Sequence, residues 1–121
     1  MNVVNFGSLN LDHVYAVDHF CRAGETIHTA GYTQNAGGKG LNQSVAAARA
    51  GVQVCHAGLI GDDGQMLLDV CRENGIDTRF IRAIDGPGGH TIIQIDKNAQ
   101  NSILLYPGSN GALTEDFVDE V

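Results

Sequence analysis

Tryptophan is absent from this 121-residue chain, and lysine is nearly so: Lys39 and Lys97 stand against a formal net charge of −7. A chain this poor in cations cannot neutralise a run of phosphates, which argues against a nucleic-acid partner. No apolar run approaches the roughly 20 residues needed to cross a bilayer, so no membrane partner is expected. The amino terminus, with polar Asn2 and Asn5 and no basic region, is unlike a secretory signal. Cysteine is scarce and unpatterned. Cys21, Cys55 and Cys71 are odd in number and form no C-x-x-C pair, as expected of free thiols in a reducing cytoplasm. His19, Cys21, Cys55 and His56 match no usual zinc spacing, and strand alternation would turn Cys55 and His56 to opposite faces.

Glycine, by contrast, is abundant, with 16 residues. Three of them fall in Asn35-Ala36-Gly37-Gly38-Lys39-Gly40-Leu41-Asn42-Gln43, which leads straight into a helix-forming run, Leu41 to Ala50. Gly37, Gly38 and Gly40 let the backbone turn tightly and let a ligand come close to the main chain. Amides at the start of the helix are expected to point outward, unpaired. Lys39 and Asn42, three apart, share a face there and can grip one ligand. A P-loop is excluded, because Gly40 follows Lys39 and Thr33 stands where its first glycine should be.

A second segment points to the same chemistry. Asn2-Val3-Val4-Asn5-Phe6 reads as a short, buried first strand that empties into Gly7-Ser8-Leu9-Asn10-Leu11-Asp12. That spacing is wrong for a dinucleotide-binding Gly-x-Gly-x-x-Gly. Asn10 and Asp12, two apart at the carboxyl end of a strand, project in one direction if the chain stays extended. Ligands of open α/β sheets bind at such strand ends, and a carboxylate there can accept hydrogen bonds from two neighbouring hydroxyls, as a sugar requires.

The remaining elements alternate. His13–Val17 and Thr26–Gln34 read as strands joined by a loop, and Gly51 stops the first helix, whose Val45 and Ala48 face a sheet. Val52–Ile60 is a continuous, mostly apolar run typical of a central parallel strand. Asp62 or Asp63 caps a helix over Gly64–Asn74 with an apolar stripe of Met66, Leu67, Val70 and Cys71, and Gly75 ends it. Thr78–Ala83 is a strand, and His90–Asp96 with Ser102–Tyr106 forms a hairpin around Lys97–Gln100. Thr114–Val118 is a capped helix start. The pattern is an α/β core interrupted by two small β insertions, approximately 13–34 and 90–106.

Gly37 to Ala47 matches Gly-Gly-Lys-Gly-x-Asn-x-x-x-Ala, and together with Asn10-x-Asp12 it resembles the ribokinase-like (PfkB-type) carbohydrate kinases. The resemblance implies a Rossmann-type three-layer α/β core with a small β-sheet lid over a sugar. It implies that Asn10, Asp12, Gly37, Gly38, Lys39 and Asn42 bind the sugar substrate. It implies ATP and Mg²⁺, and a catalytic aspartate in a Gly-Ala-Gly-Asp segment that has no counterpart here; Gly86-Pro87-Gly88-Gly89-His90 lacks the acid. The chain is therefore expected to be the N-terminal, acceptor-holding part of a longer, cytoplasmic kinase. Ribose is the leading substrate, and Tyr106-Pro107-Gly108-Ser109-Asn110 resembles the segment that leaves the lid in that group. Other sugars and nucleosides stay open, with Tyr15, Phe20, Tyr32 and Tyr106 as a possible aromatic shelf for a base. A non-catalytic sugar-binding remnant is the alternative of a different class. The hairpin strands are apolar on both faces, so one face is expected to cover the sugar and pack on Thr26–Gln34. The other is expected to pair two lids in a homodimer.

Overall fold

A computed structural model describes residues 2–121. Among the described residues seven strands divide into two sheets. The first is parallel, in the order β1 (Asn2–Phe6), β4 (Gln53–Ile60), β5 (Asp77–Ala83). The second is mixed and four-stranded, in the order β3 (Gly31–Gly37), β2 (Asn10–Ala16), β6 (Gly89–Ile95), β7 (Asn101–Tyr106). Helices α1 (Lys39–Arg49) and α2 (Gln65–Glu73) pack on one face of the parallel sheet. Their Leu41, Leu67 and Cys71 meet Val54 and Ile60 of β4 in the main apolar cluster. The short α3 (Glu115–Glu120) covers the other face, where Phe117 packs with Ala57 and Leu59. This alternation of β4 residues between two covered faces explains its mostly apolar run.

Thr114 caps α3, its Oγ1 accepting from the Phe117 amide at 3.2 Å. Gly51 and Gly75 follow α1 and α2 at φ +93° and +70°, a conformation suited to glycine. Asp62 and Asp63 do not cap α2, which starts after Gly64 without a side-chain cap. Their carboxylates instead accept from the Gly86 and Gly88 amides at 3.1 and 2.9 Å, fastening the crossover from β5 to β6. The backbone amides of that glycine-rich loop are donors without a ladder partner, and two nearby carboxylates satisfy them.

Three further expectations are corrected. Strand β1 is not buried: Val4 is 47% and Phe6 41% exposed, because β1 lies at a sheet edge and α1 covers only its other face. Thr26–Ala30 is not strand; β3 starts at Gly31 and runs through Gly37, held by antiparallel pairing of Asn10 to Ala16 with Gly37 to Gly31. The β6–β7 hairpin does not stack on β3. It extends the same sheet from the opposite side, β6 pairing in parallel with β2 and β7 forming the outer edge.

Candidate sugar-binding site

Residue alternation along β2 puts Asn10 and Asp12 on one face of the mixed sheet. Both side chains are held by partners distant in sequence. Asp12 Oδ1 accepts from the Thr91 hydroxyl at 2.7 Å, an arrangement set by the register that aligns Asp12 with Thr91 of β6. Asn10 Oδ1 accepts from Asn110 Nδ2 at 2.6 Å, so the Asn10 amide presents its NH₂ donors away from that contact. Asn110 is itself anchored, its Oδ1 accepting from the Leu9 amide at 3.0 Å. Ser109, buried beside it, accepts from the Gly89 amide at 3.3 Å and donates to the Leu59 carbonyl at 3.2 Å. The chain leaving β7 thus braces β2 from behind.

All three glycines of the Asn35–Gln43 segment are needed for close approach, two of them on the side of Asn10 and Asp12. A Cβ on Gly37 would lie 2.3 Å from Asp12 Oδ2. Gly38, at φ +98°, passes so close to the Ser8–Asn10 backbone that a Cβ would stand 2.8 Å from the Ser8 carbonyl oxygen. These contacts lay the Asp12 carboxylate beside the turn into α1. The helix begins at Lys39, two residues earlier than its hydrophobic pattern indicates, because propensity scales discount glycine and Gly38 supplies the turn.

The first-turn amides are not all free. Ser8 accepts from Gly40 through Oγ at 3.4 Å and from Leu41 through its carbonyl at 3.0 Å. The expectation of an unpaired helix start is corrected accordingly: a serine from the preceding turn takes the place of a helix cap. Lys39 and Asn42 are both exposed, and among the described residues neither side chain is engaged in a hydrogen bond. The six residues read from the sequence therefore sit on β2, at the end of β3 and on the first turn of α1. Thr91, Asn110 and Ser8 were missed. Asn110 lies in the Tyr106–Asn110 stretch that the sequence singles out, whereas Thr91 carries no local signal.

The aromatic shelf is corrected. Tyr15 is three residues from Asp12, on the other face of the sheet. Tyr32 packs on Tyr15 with ring centroids 4.8 Å apart, and Tyr106 packs on His90 at 5.2 Å. His13 joins the two pairs, stacked on Tyr32 and edge-on to His90. These rings form one layer facing away from Asn10 and Asp12. Among the described residues no three His, Cys, Asp or Glu side chains gather as a metal-binding cluster. Cys21, Cys55 and Cys71 are free.

Comparison with known proteins gives one consistent result. The chain is 41% identical over 112 residues to a ribokinase of Haemophilus influenzae, matching 90% of this chain and 37% of that protein. A ribokinase of Cryptococcus neoformans, solved with ADP, superposes with a TM-score of 0.82 at 38% identity, covering 89% of this chain and 35% of that one. A ribokinase of Arabidopsis thaliana, complexed with ribose and ATP, superposes at 0.77 with 28% identity, covering 88% and 36%. The chain thus spans a little over a third of these relatives. The model of the pfkB family carbohydrate kinases matches residues 1–121, the whole length, and the chain belongs to that family.

Proposed function

We propose that this chain is the acceptor-holding part of an ATP-dependent sugar kinase, and that the sugar is ribose, phosphorylated to ribose 5-phosphate. One observation carries the reading: Asp12 and Asn10, each locked by a remote partner, stand beside Gly37 and Gly38, next to the exposed Lys39 and Asn42. A sugar is a ring of vicinal hydroxyls that both donate and accept. Asp12 supplies acceptors, while Asn10, Lys39 and Asn42 supply donors around them. Locking matters because an oriented carboxylate loses little freedom on binding. Ribokinases among the relatives, one of them bound to ribose and ATP, support ribose over other sugars. The rings of Tyr15, Tyr32 and Tyr106 face away from Asp12, which disfavours a nucleoside.

In this reading residues 1–121 hold the sugar, with segments 13–34 and 90–106 as its lid. Phosphoryl transfer is chiefly positioning and charge neutralisation, and this chain's share is the positioning of the acceptor. The ATP site and the catalytic base belong to the remainder of a longer, cytoplasmic enzyme. The reading includes a homodimer formed through the lids. Its support is the exposure of Ile103, Leu104, Leu105 and Tyr106 along β7, each more than half exposed.

Calorimetric titration with ribose tests the proposal. The protein binds ribose, and Asp12→Ala weakens binding about ten- to a hundredfold, the cost of removing a charged acceptor. Equal binding by Asp12→Ala would remove that residue from the site. A full-length protein that binds ribose but releases no ADP from ATP is the sugar-binding remnant instead.

A further inference from the structure

Behind the first turn of α1 lies a polar group that sugar binding does not use. His56, on β4, is fully buried, and both ring nitrogens are engaged. Nε2 lies 3.1 Å from the Gly7 carbonyl oxygen and Nδ1 lies 2.7 Å from Ser44 Oγ. A carbonyl only accepts, so Nε2 carries the proton. Nδ1 is then the acceptor, and the Ser44 hydroxyl donates to it. Ser44 Oγ in turn accepts from Asn5 Nδ2 at 3.0 Å, and the same amide group donates to the Gly40 carbonyl at 2.9 Å. One neutral tautomer satisfies the whole chain of bonds.

The elements joined by these bonds are those that carry the candidate site. Gly7 opens the turn into Asn10 and Asp12, while Gly40 and Ser44 belong to the helix that carries Lys39 and Asn42. The two backbones touch: a Cβ on Gly40 would come within 2.5 Å of Gly7 Cα, and the Leu41 amide donates to the Ser8 carbonyl at 3.0 Å.

We propose that His56 is a positioning residue, a neutral imidazole that clamps the Gly7–Leu9 turn to the first turn of α1 and so fixes Asn10 and Asp12 relative to Lys39 and Asn42. The consequence for ligand binding rests on the sugar-site reading above; the clamp itself does not. Protonation would convert Nδ1 from acceptor to donor and strand the Ser44 proton. It would also place a charge among Asn5, Gly7, Ser44 and Gly58, none of which is charged. Burial accordingly lowers the His56 pKa below its ordinary value.

Nuclear magnetic resonance on the intact protein tests the clamp. Imidazole nitrogen shifts place the proton on Nε2 between about pH 6 and 8. Exchange of the Leu41 amide accelerates at least about tenfold in His56→Phe and in Ser44→Ala, while β6 amides hold their rates. In His56→Gln, which can both accept and donate, it returns to within about threefold of wild type. Ribose affinity falls in the same order, with His56→Gln closest to the wild type. If His56→Phe does not fold, Ser44→Ala carries the test. A proton on Nδ1, an unchanged Leu41 rate, or acceleration spread evenly over all elements overturns the clamp. If the wild type does not bind ribose, the Leu41 rates still decide the clamp, and only the sugar reading fails.

Discussion

Replacing Gly37 by alanine isolates the geometry of the candidate site in one methyl group. Gly37 has no left-handed φ, so alanine meets no backbone penalty there. The added Cβ would lie 2.3 Å from Asp12 Oδ2, 2.7 Å from Cγ and 2.9 Å from Oδ1. Restoring ordinary contact moves the carboxylate by about 1 Å, and Asp12 has too short a side chain to swing away on the same strand. With β3 on one side of β2 and β6 on the other, such a shift drives the carboxylate towards Thr91 and spoils the geometry of their 2.7 Å bond. A hydrogen bond to a charged group contributes about 1.5–3 kcal/mol. Asp12 is only half buried, so the lower end applies to folding, roughly a 1–1.5 kcal/mol loss. The effect on ribose is larger, because the methyl enters the space beside the carboxylate; affinity falls at least about tenfold. Thr91→Val, which removes the hydroxyl and keeps the shape, separates the two effects by loosening Asp12 without filling the site. Gly31→Ala, in the same strand, is the control, since its Cβ meets only Ala16 at 3.8 Å. Calorimetry and thermal unfolding on the three variants give the answer. Ribose affinity in Gly37→Ala equal to that in Gly31→Ala would refute the reasoning.

Thiol labelling of the native protein should modify the exposed Cys21 first and leave Cys71 untouched until unfolding, because burial pushes the Cys71 thiol up to about 11. Rapid modification of Cys71 in the folded state would contradict its packing. Stability should fall as pH drops below about 6.5, since the unfolded chain takes up a proton there that buried His56 refuses, and His56→Phe should flatten that slope in denaturant titrations. His19 has the opposite sign. Its hydrogen bonds to Asp18 and then Glu25 raise its pKa, so its contribution is present below 6.5 and lost as pH rises. Light scattering on the full-length protein should show a dimer that Leu104→Lys dissociates; a monodisperse wild-type monomer at micromolar concentration would refute pairing through the lids.

Legibility in the sequence tracked how local each interaction is. Helices α1 and α2, central strand β4 and the hairpin β6–β7 followed from period, turn residues and glycine stops, all within a few residues of one another. Asn10 and Asp12 were legible as a pair because strand alternation alone fixes their common face. Thr91 and Asn110 were not, since the bonds that make them matter span 79 and 100 residues. The exposure of β1 was illegible for a similar reason. Val3-Val4-Asn5-Phe6 has the composition of a buried strand, and only sheet order reveals that it lies at an edge.

The misplaced start of α1 and end of β3 share a cause in the glycines that join the two elements. Gly37, Gly38 and Gly40 scored as loop because glycine is a poor former of helix and strand alike. In the fold the three residues end a strand, make the turn and enter a helix without any intervening loop. Side chains are excluded there by the Asp12 carboxylate, the Ser8 carbonyl and the Gly7 backbone in turn. Low propensity at each position is thus the local cost of bringing a carboxylate-bearing strand against a helix start. The polar set Asn5, Ser44 and His56 sits immediately behind that junction, where an apolar core would give contact but no fixed orientation. Directional bonds between the Gly7 turn and α1 replace the stiffness that three glycines remove.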